Sequence, residues 1–377
     1  MIPSRPAKGH DEYRNHCGAT FEVRPTSHPR TQTEREQALA DLSFGKVFTD
    51  HMARAVWTKD EGWHDHRVEA YGPLSLDPAT AVLHYAQEIF EGLKAYRHAD
   101  GSVWTFRPHA NAARFAASAR RLALPELREA DFIGSIEALV RTDTEWVPDS
   151  PGSSLYLRPF MFASESFLGV RPAHRVDYLV IASPSGPYFT SGFSPVSIWV
   201  TTDFHRSGPG GTGAAKCGGN YAASLLPQQQ ATDNGCSQVC FLDAATGTLL
   251  EELGGMNVFF VDADGAVHTP ELTETILAGV TRSSVLRIMA DDGRTVYERP
   301  LPFAEIAEQI RSGHIVEAFA CGTAAVVTPI GQFKGTGLDL TVGDGGPGAV
   351  TTGLHAKLTD VQYGRAEDTY GWMHRLA

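Results

Sequence analysis

Gly208-Pro-Gly-Gly-Thr-Gly-Ala-Ala-Lys216-Cys-Gly-Gly-Asn-Tyr221 is the stretch on which the fold turns. So many glycines in a short run imply backbone that takes positive φ or lets another group come close. Three chemistries compete for it. A dinucleotide fingerprint is the first, since Gly208, Gly210 and Gly213 satisfy G-x-G-x-x-G behind a strand expected over Val196–Thr202. More glycines follow where the helix should already pack, and Asp233, the acid at the ribose-binding distance, stands in a polar turn. A Walker-type phosphate loop is the second. It fails because Ala215 rather than glycine precedes Lys216, and Cys217 replaces the magnesium-binding Ser or Thr. The third is a reactive amine, whose small neighbours let a bulky planar carbonyl compound reach it. Taken alone, Lys216 reads first as a solvated loop lysine; its neighbours shift the balance.

A Schiff base between that amine and pyridoxal phosphate sets further requirements. The ring nitrogen needs an acid to stay protonated. Glu251 and Glu252, in Leu249-Leu-Glu-Glu-Leu-Gly-Gly-Met-Asn257, point to opposite faces of an extended segment, so at most one faces a pocket. Solvated turn carboxylates are the plainer alternative. The phosphate needs a helix N-terminus, and Gly279-Val-Thr-Arg-Ser-Ser284 reads as such an opening, or as an ordinary cap. An arginine in a two-pronged contact would complete the phosphate site, and several arginines qualify.

Outward from these motifs, the 377 residues carry 32 Lys+Arg and 44 Asp+Glu, a net charge of −12. That balance argues against nucleic acid or an anionic membrane as partner. No apolar run approaches the roughly 18 residues of a membrane span, and the N-terminus lacks the apolar core of a signal peptide. Cys17, Cys217, Cys236, Cys240 and Cys321 form no CxxC pair and no disulfide framework, as expected of reduced thiols in the cytoplasm. His64 and His66 flank Asp65 without a metal-binding pattern, so no metal is expected.

The length suits about two domains at roughly 100–200 residues each. Residues 1–42, polar and without periodicity, read as an N-terminal arm; 43–183 as a small α/β domain; 184–195 as a linker; 196–377 as a large α/β domain. Asp77-Pro78 reads as the start of a helix running to Phe90, and Lys94–Tyr96 with Val103–Phe106 as a hairpin about Asp100-Gly101. Helical spacing recurs around Phe115–Leu122, Phe132–Val140, Ser283–Ala290, Phe303–Arg311 and Leu354–Tyr363. Strands are expected near Phe44–Trp57, Ser154–Phe162, Asp177–Ala182, Gln238–Asp243, Met256–Asp262 and Ile315–Ala320.

Six motifs in order resemble one family: Phe44-Gly-Lys-Val-Phe-Thr-Asp-His-Met52, His84-Tyr-Ala-Gln-Glu-Ile-Phe-Glu-Gly-Leu-Lys94, Ser154-Leu-Tyr-Leu-Arg-Pro159, Lys216-Cys-Gly-Gly-Asn-Tyr221, Glu252-Leu-Gly-Gly-Met-Asn257 and Gly322-Thr-Ala324. The series is similar to the branched-chain amino-acid aminotransferases, and covers the chain from about Leu42 onward. The resemblance implies a mixed α/β, two-domain fold of type IV among pyridoxal phosphate enzymes. It also implies transfer of the amino group of L-leucine, L-isoleucine or L-valine to 2-oxoglutarate. Lys216 is then the Schiff-base lysine, Glu252 the partner of the pyridine nitrogen, and Tyr221 a neighbour of the phenolic oxygen. Arg114 and the amides of Val280 and Thr281 are implied on the phosphate side, and Thr323 as a further cofactor-side contact. Phe44, Tyr85, Phe90, Tyr156, Tyr188 and Ala324 are implied to line the substrate pocket, with Arg158 for an acidic side chain. Leu168-Gly-Val170 resembles the segment inserted into a partner's site, implying a homodimer. Two positions depart from the pattern: Gly255 replaces a threonine of some members, and Ala325 with Thr328 replaces a cysteine pair of the mammalian mitochondrial enzymes. The nearest competitors are a D-amino-acid transaminase and an aminodeoxychorismate lyase; a NAD-binding oxidoreductase rests on glycine spacing alone.

Overall fold

Two nine-stranded sheets, each with its own helices, organise the computed structural model, which describes residues 18–186 and 193–377. The first sheet is centred on Ser154–Ala163 and Arg175–Ser185, paired antiparallel over their length. The hairpin Leu93–Arg97 and Val103–Phe106 forms as expected, with Gly101 at φ +84° in its turn. Helices Pro108–Arg121 and Glu129–Thr142 lie on this sheet because Ala112, Phe115 and Ala119, and then Phe132, Ile136 and Leu139, recur on one face of each.

The second sheet is covered on both faces. Along Asn257–Asp262, Val258 and Phe260 pack toward the helix Phe303–Arg311, whereas Phe259 and Val261 pack toward Val280–Asp291 and Ala349–Gln362. Burial on both sides explains why this strand reads as an unbroken apolar run rather than an alternation.

Several local expectations are corrected. The N-terminal segment expected to lack regular structure carries the helix Gln32–Ala40, closed by a Thr31/Glu34 capping box, though it buries no residue. The helix expected from Asp77 to Phe90 shrinks to Val82–Tyr85. Ala86 turns left-handed at φ 48°, and Glu88–Phe90 pairs as a strand with Phe160–Phe162, so tertiary pairing overrides the start signal. The strand expected from Phe44 begins at His51. Of the linker, residues 184 and 185 finish the strand Arg175–Ser185, and 187–192 lie outside the described residues. Finally, Met373–Arg375 leaves the large domain and pairs with Val103–Phe106, closing one edge of the first sheet.

Candidate active site

The glycine-rich stretch is a loop, and the helix after it begins only at Gly218, with Cys217 as its N-cap. A dinucleotide fingerprint would open its helix within the glycines, so that alternative falls. At Gly213 an added Cβ would come within 2.4–2.6 Å of the Thr275 backbone, so only glycine lets the two segments meet. Lys216 follows, with its backbone held on both sides. Its N–H donates to Ser118 Oγ at 3.0 Å, and its carbonyl accepts from the Phe90 N–H at 3.0 Å. The side chain runs between two rings, with Nζ 4.7 Å from the Phe90 centroid and 5.1 Å from that of Tyr221. Nζ donates to the Tyr221 hydroxyl at 2.7 Å.

Glu252 is buried in Leu250–Leu253. Its Oε1 accepts from the Leu277 N–H at 2.8 Å and is ion-paired with Arg206 Nη1 at 2.8 Å, while Oε2 accepts from Asn257 Nδ2 at a longer 3.4 Å. Burial raises its carboxyl to about 7, against the opposing pull of Arg206, the Leu277 amide and the more distant charge of Lys216. Arg206 also donates to the Gly213 and Thr275 carbonyls, tying the glycine-rich loop to the acid. Glu251 is buried as well, hydrogen-bonded to the Thr275 hydroxyl, which rules out two solvated turn carboxylates.

On another side, Arg114 forms a fork with Glu91, Nε at 2.7 Å and Nη2 at 2.8 Å, and its Nη1 donates to the Ala278 carbonyl at 3.0 Å. Burial would push Glu91 up, but the guanidinium outweighs it and holds the carboxyl below its ordinary value. Three of the five guanidinium N–H groups are thus engaged, at the residue preceding the Gly279 N-cap of Val280–Asp291. No side chain caps that helix, so the amides of its first turn, Val280 and Thr281 among them, lack helical partners. Thr323 and Ala324 sit in the turn joining Ile315–Gly322 to Val326–Gly335, and Gly322 at its start lies beside Met256 and Gly255. Together these groups suit a phosphorylated aromatic aldehyde: an amine, a buried acid with one oxygen weakly engaged, and amides open to an anion.

Apolar and cationic groups border the amine. Arg158 lies 4.6 Å above the Phe90 ring and donates from Nη2 to the Tyr156 hydroxyl at 3.0 Å, while its buried Nε has no partner. Gly92 makes room for that hydroxyl, since a Cβ there would meet it at 2.2 Å. Phe44 packs edge-on against Tyr156, 4.8 Å between centroids. Tyr85 does not join this group. Its hydroxyl donates to the Leu168 carbonyl, in an exposed apolar cluster that includes Leu168 and Val170. Tyr188 lies outside the described residues. Among the described residues no group of His, Cys, Asp and Glu could hold a metal, and no helix is long and apolar enough to cross a membrane. Sequence reasoning gave no role to Arg206 or Glu91, whose charged partners are distant along the chain, nor to Asn257, which stands only five positions from Glu252 in a motif already singled out.

A model of the amino-transferase class IV family matches residues 88–333. The branched-chain-amino-acid aminotransferase of Mycolicibacterium smegmatis is 52% identical over 360 residues, covering 94% of this chain and 98% of its own. Among solved structures, the branched-chain amino acid aminotransferase of Escherichia coli superposes with a TM-score of 0.72 at 26% identity, covering 86% of this chain and 100% of its own. The T.th. enzyme of the same name, complexed with N-(5'-phosphopyridoxyl)-L-glutamate, gives 0.70 at 26% identity, over 86% and 99%.

Proposed function

The chain belongs to the amino-transferase class IV family, and from that membership we propose a branched-chain-amino-acid aminotransferase that works with pyridoxal 5'-phosphate. It moves the amino group of L-leucine, L-isoleucine or L-valine to 2-oxoglutarate, giving the branched 2-oxo acid and L-glutamate. One juxtaposition carries this function: the Lys216 amine against the Tyr221 hydroxyl, within reach of the charge of a buried Glu252. When pyridoxal phosphate is bound, it supplies an aldehyde for amines and a ring that accepts the electrons left at the substrate's Cα.

Lys216 would hold that group through its aldehyde, and its amine, when free, would be the base that takes the proton from the substrate's Cα. Tyr221 steadies the amine through its hydrogen bond. Glu252 holds a proton on the ring nitrogen, and Arg206 fixes the carboxylate from its other side. Arg114 and the Val280 and Thr281 amides take the phosphate, where the helix opening and the guanidinium add positive potential, while Thr323 and Ala324 border cofactor and substrate.

Phe44, Phe90 and Tyr156 hold a branched side chain by excluding water, at about 25 cal/mol per Å² buried. L-Glutamate must use the same space. Arg158, resting on the Phe90 ring with Nε unpaired, offers its carboxylate a charged donor without a polar hole in the apolar wall. Tyr85, Leu168 and Val170 are exposed on one copy, and a homodimer would bury them at the partner's site. The free, buried thiols of Cys217, Cys236, Cys240 and Cys321 suit the cytoplasm.

Borohydride reduction of the protein loaded with pyridoxal phosphate, followed by peptide mapping, should place the pyridoxyl tag on Lys216. A tag on another lysine overturns the site. Turnover with 2-oxoglutarate should favour L-leucine, L-isoleucine and L-valine over D-alanine, and fall to background in Lys216→Ala.

A further inference from the structure

We propose that Lys94 is a positioning residue for the substrate's carboxylate, holding the Thr323–Ala325 turn from the other domain through its ammonium group. This rests on the function above, in which that turn borders cofactor and substrate. Lys94 belongs to Leu93–Arg97 in the first sheet, and its Nζ donates at 2.6 Å to the carbonyl of Ala324, 230 positions away. The turn needs holding. It closes at the pair Gly322 and Val326, and Val326, a β-branched residue, sits at φ +58°, where such side chains are strained.

The charge is as informative as the contact. Lys94 lines a cavity of about 270 Å³ behind the turn, with Ala324, Ala325, Thr328, His355, Tyr363 and Arg365. The titratable groups facing it are Tyr96 on its own strand, His355 on the helix Ala349–Gln362, and Tyr363 and Arg365 after that helix. Asp360, a carboxylate near His355, is taken by Arg365 at 2.7 Å. Among the described residues no acid pairs with Lys94, and desolvation lowers its ammonium to about 8. An anion on the turn supplies the missing negative charge. Substrate and ammonium therefore favour each other, and carboxylate binding should draw a proton onto Lys94.

The probe is 4-methylpentanoate, a branched carboxylate without an amine, titrated calorimetrically into the cofactor-loaded enzyme. In the wild type, binding should take up protons near pH 8 and weaken as pH rises further. In Lys94→Met, affinity for the probe should fall about tenfold, the KM for L-leucine should rise in step, and kcat should change less than about threefold. Proton uptake should vanish while cofactor content is kept, and Lys94→Arg should recover most of the affinity. A folded Lys94→Met with wild-type affinity, a wild type that takes up no proton, or an arginine variant as weak as the methionine one would each overturn the role. Wild-type turnover of L-leucine in the same series separates the two conclusions. Its absence overturns the function, whereas its presence with an unaltered Lys94→Met overturns Lys94 alone.

Discussion

Glu252 is a buried acid whose ionisation is delayed, and that has a thermodynamic signature before any chemistry. Its carboxyl moves from 4.5 to about 7, so the folded state holds more protons than the unfolded one between those values. Over that window stability falls as pH rises. Without cofactor, the wild type should lose melting temperature relative to Glu252→Gln between pH 5 and 7.5, at about 2–4 °C per kcal/mol; parallel curves would remove the argument. Lys94 gives the opposite sign. An ammonium lowered from 10.5 to about 8 costs stability at neutral pH, and that cost is relieved as pH climbs from about 8 toward 10.5. Lys94→Met should therefore melt no lower than the wild type at pH 7, and about 2–4 °C higher for each kcal/mol recovered, even as it binds carboxylates less well. A lower melting temperature would mean that its hydrogen bond to Ala324 outweighs the burial of charge. Lys216, Tyr221 and Glu252 were legible because each lies in a short local motif. Glu91 with Arg114 and Lys94 with Ala324 were not, since their contacts span 23 and 230 positions and no spacing rule reaches that far.

Elements follow the same division. Strands such as Asn257–Asp262 announce themselves because burial on two faces demands an apolar run. The helix Gln32–Ala40 carries a readable capping box but no apolar stripe, so periodicity misses it. The short helix at Val82–Tyr85 fails for the reverse reason: a sound start signal loses to strand pairing by Glu88–Phe90. In the glycine-rich loop, contact constrains the sequence at Gly213. Gly213→Ala would drive a methyl group into the Thr275 backbone, and Arg206 bonds to carbonyls on both segments. The variant should lose at least about 1–3 kcal/mol, as overpacking does. Its cofactor should dissociate faster, measured by loss of bound chromophore on dilution. Unchanged retention and melting would show the loop to be slack.

At the scale of the molecule, the exposed Leu168 and Val170 cluster predicts association. Val170, 88% exposed, is the sensitive position. Val170→Asp should shift sedimentation from dimer toward monomer and lower turnover with it; an intact, fully active dimer would place the interface elsewhere. The two domains are also stitched together by more than a linker, because Met373–Arg375 closes the edge of the first sheet beside Val103–Phe106. That strand is translated after every strand of the second sheet. On the ribosome, then, the domain made first waits with an open, pairing-competent border until the domain made second has emerged. Its maturation is coupled to residues made after the second sheet, and a nascent chain stalled before Met373 should be the form most in need of a chaperone.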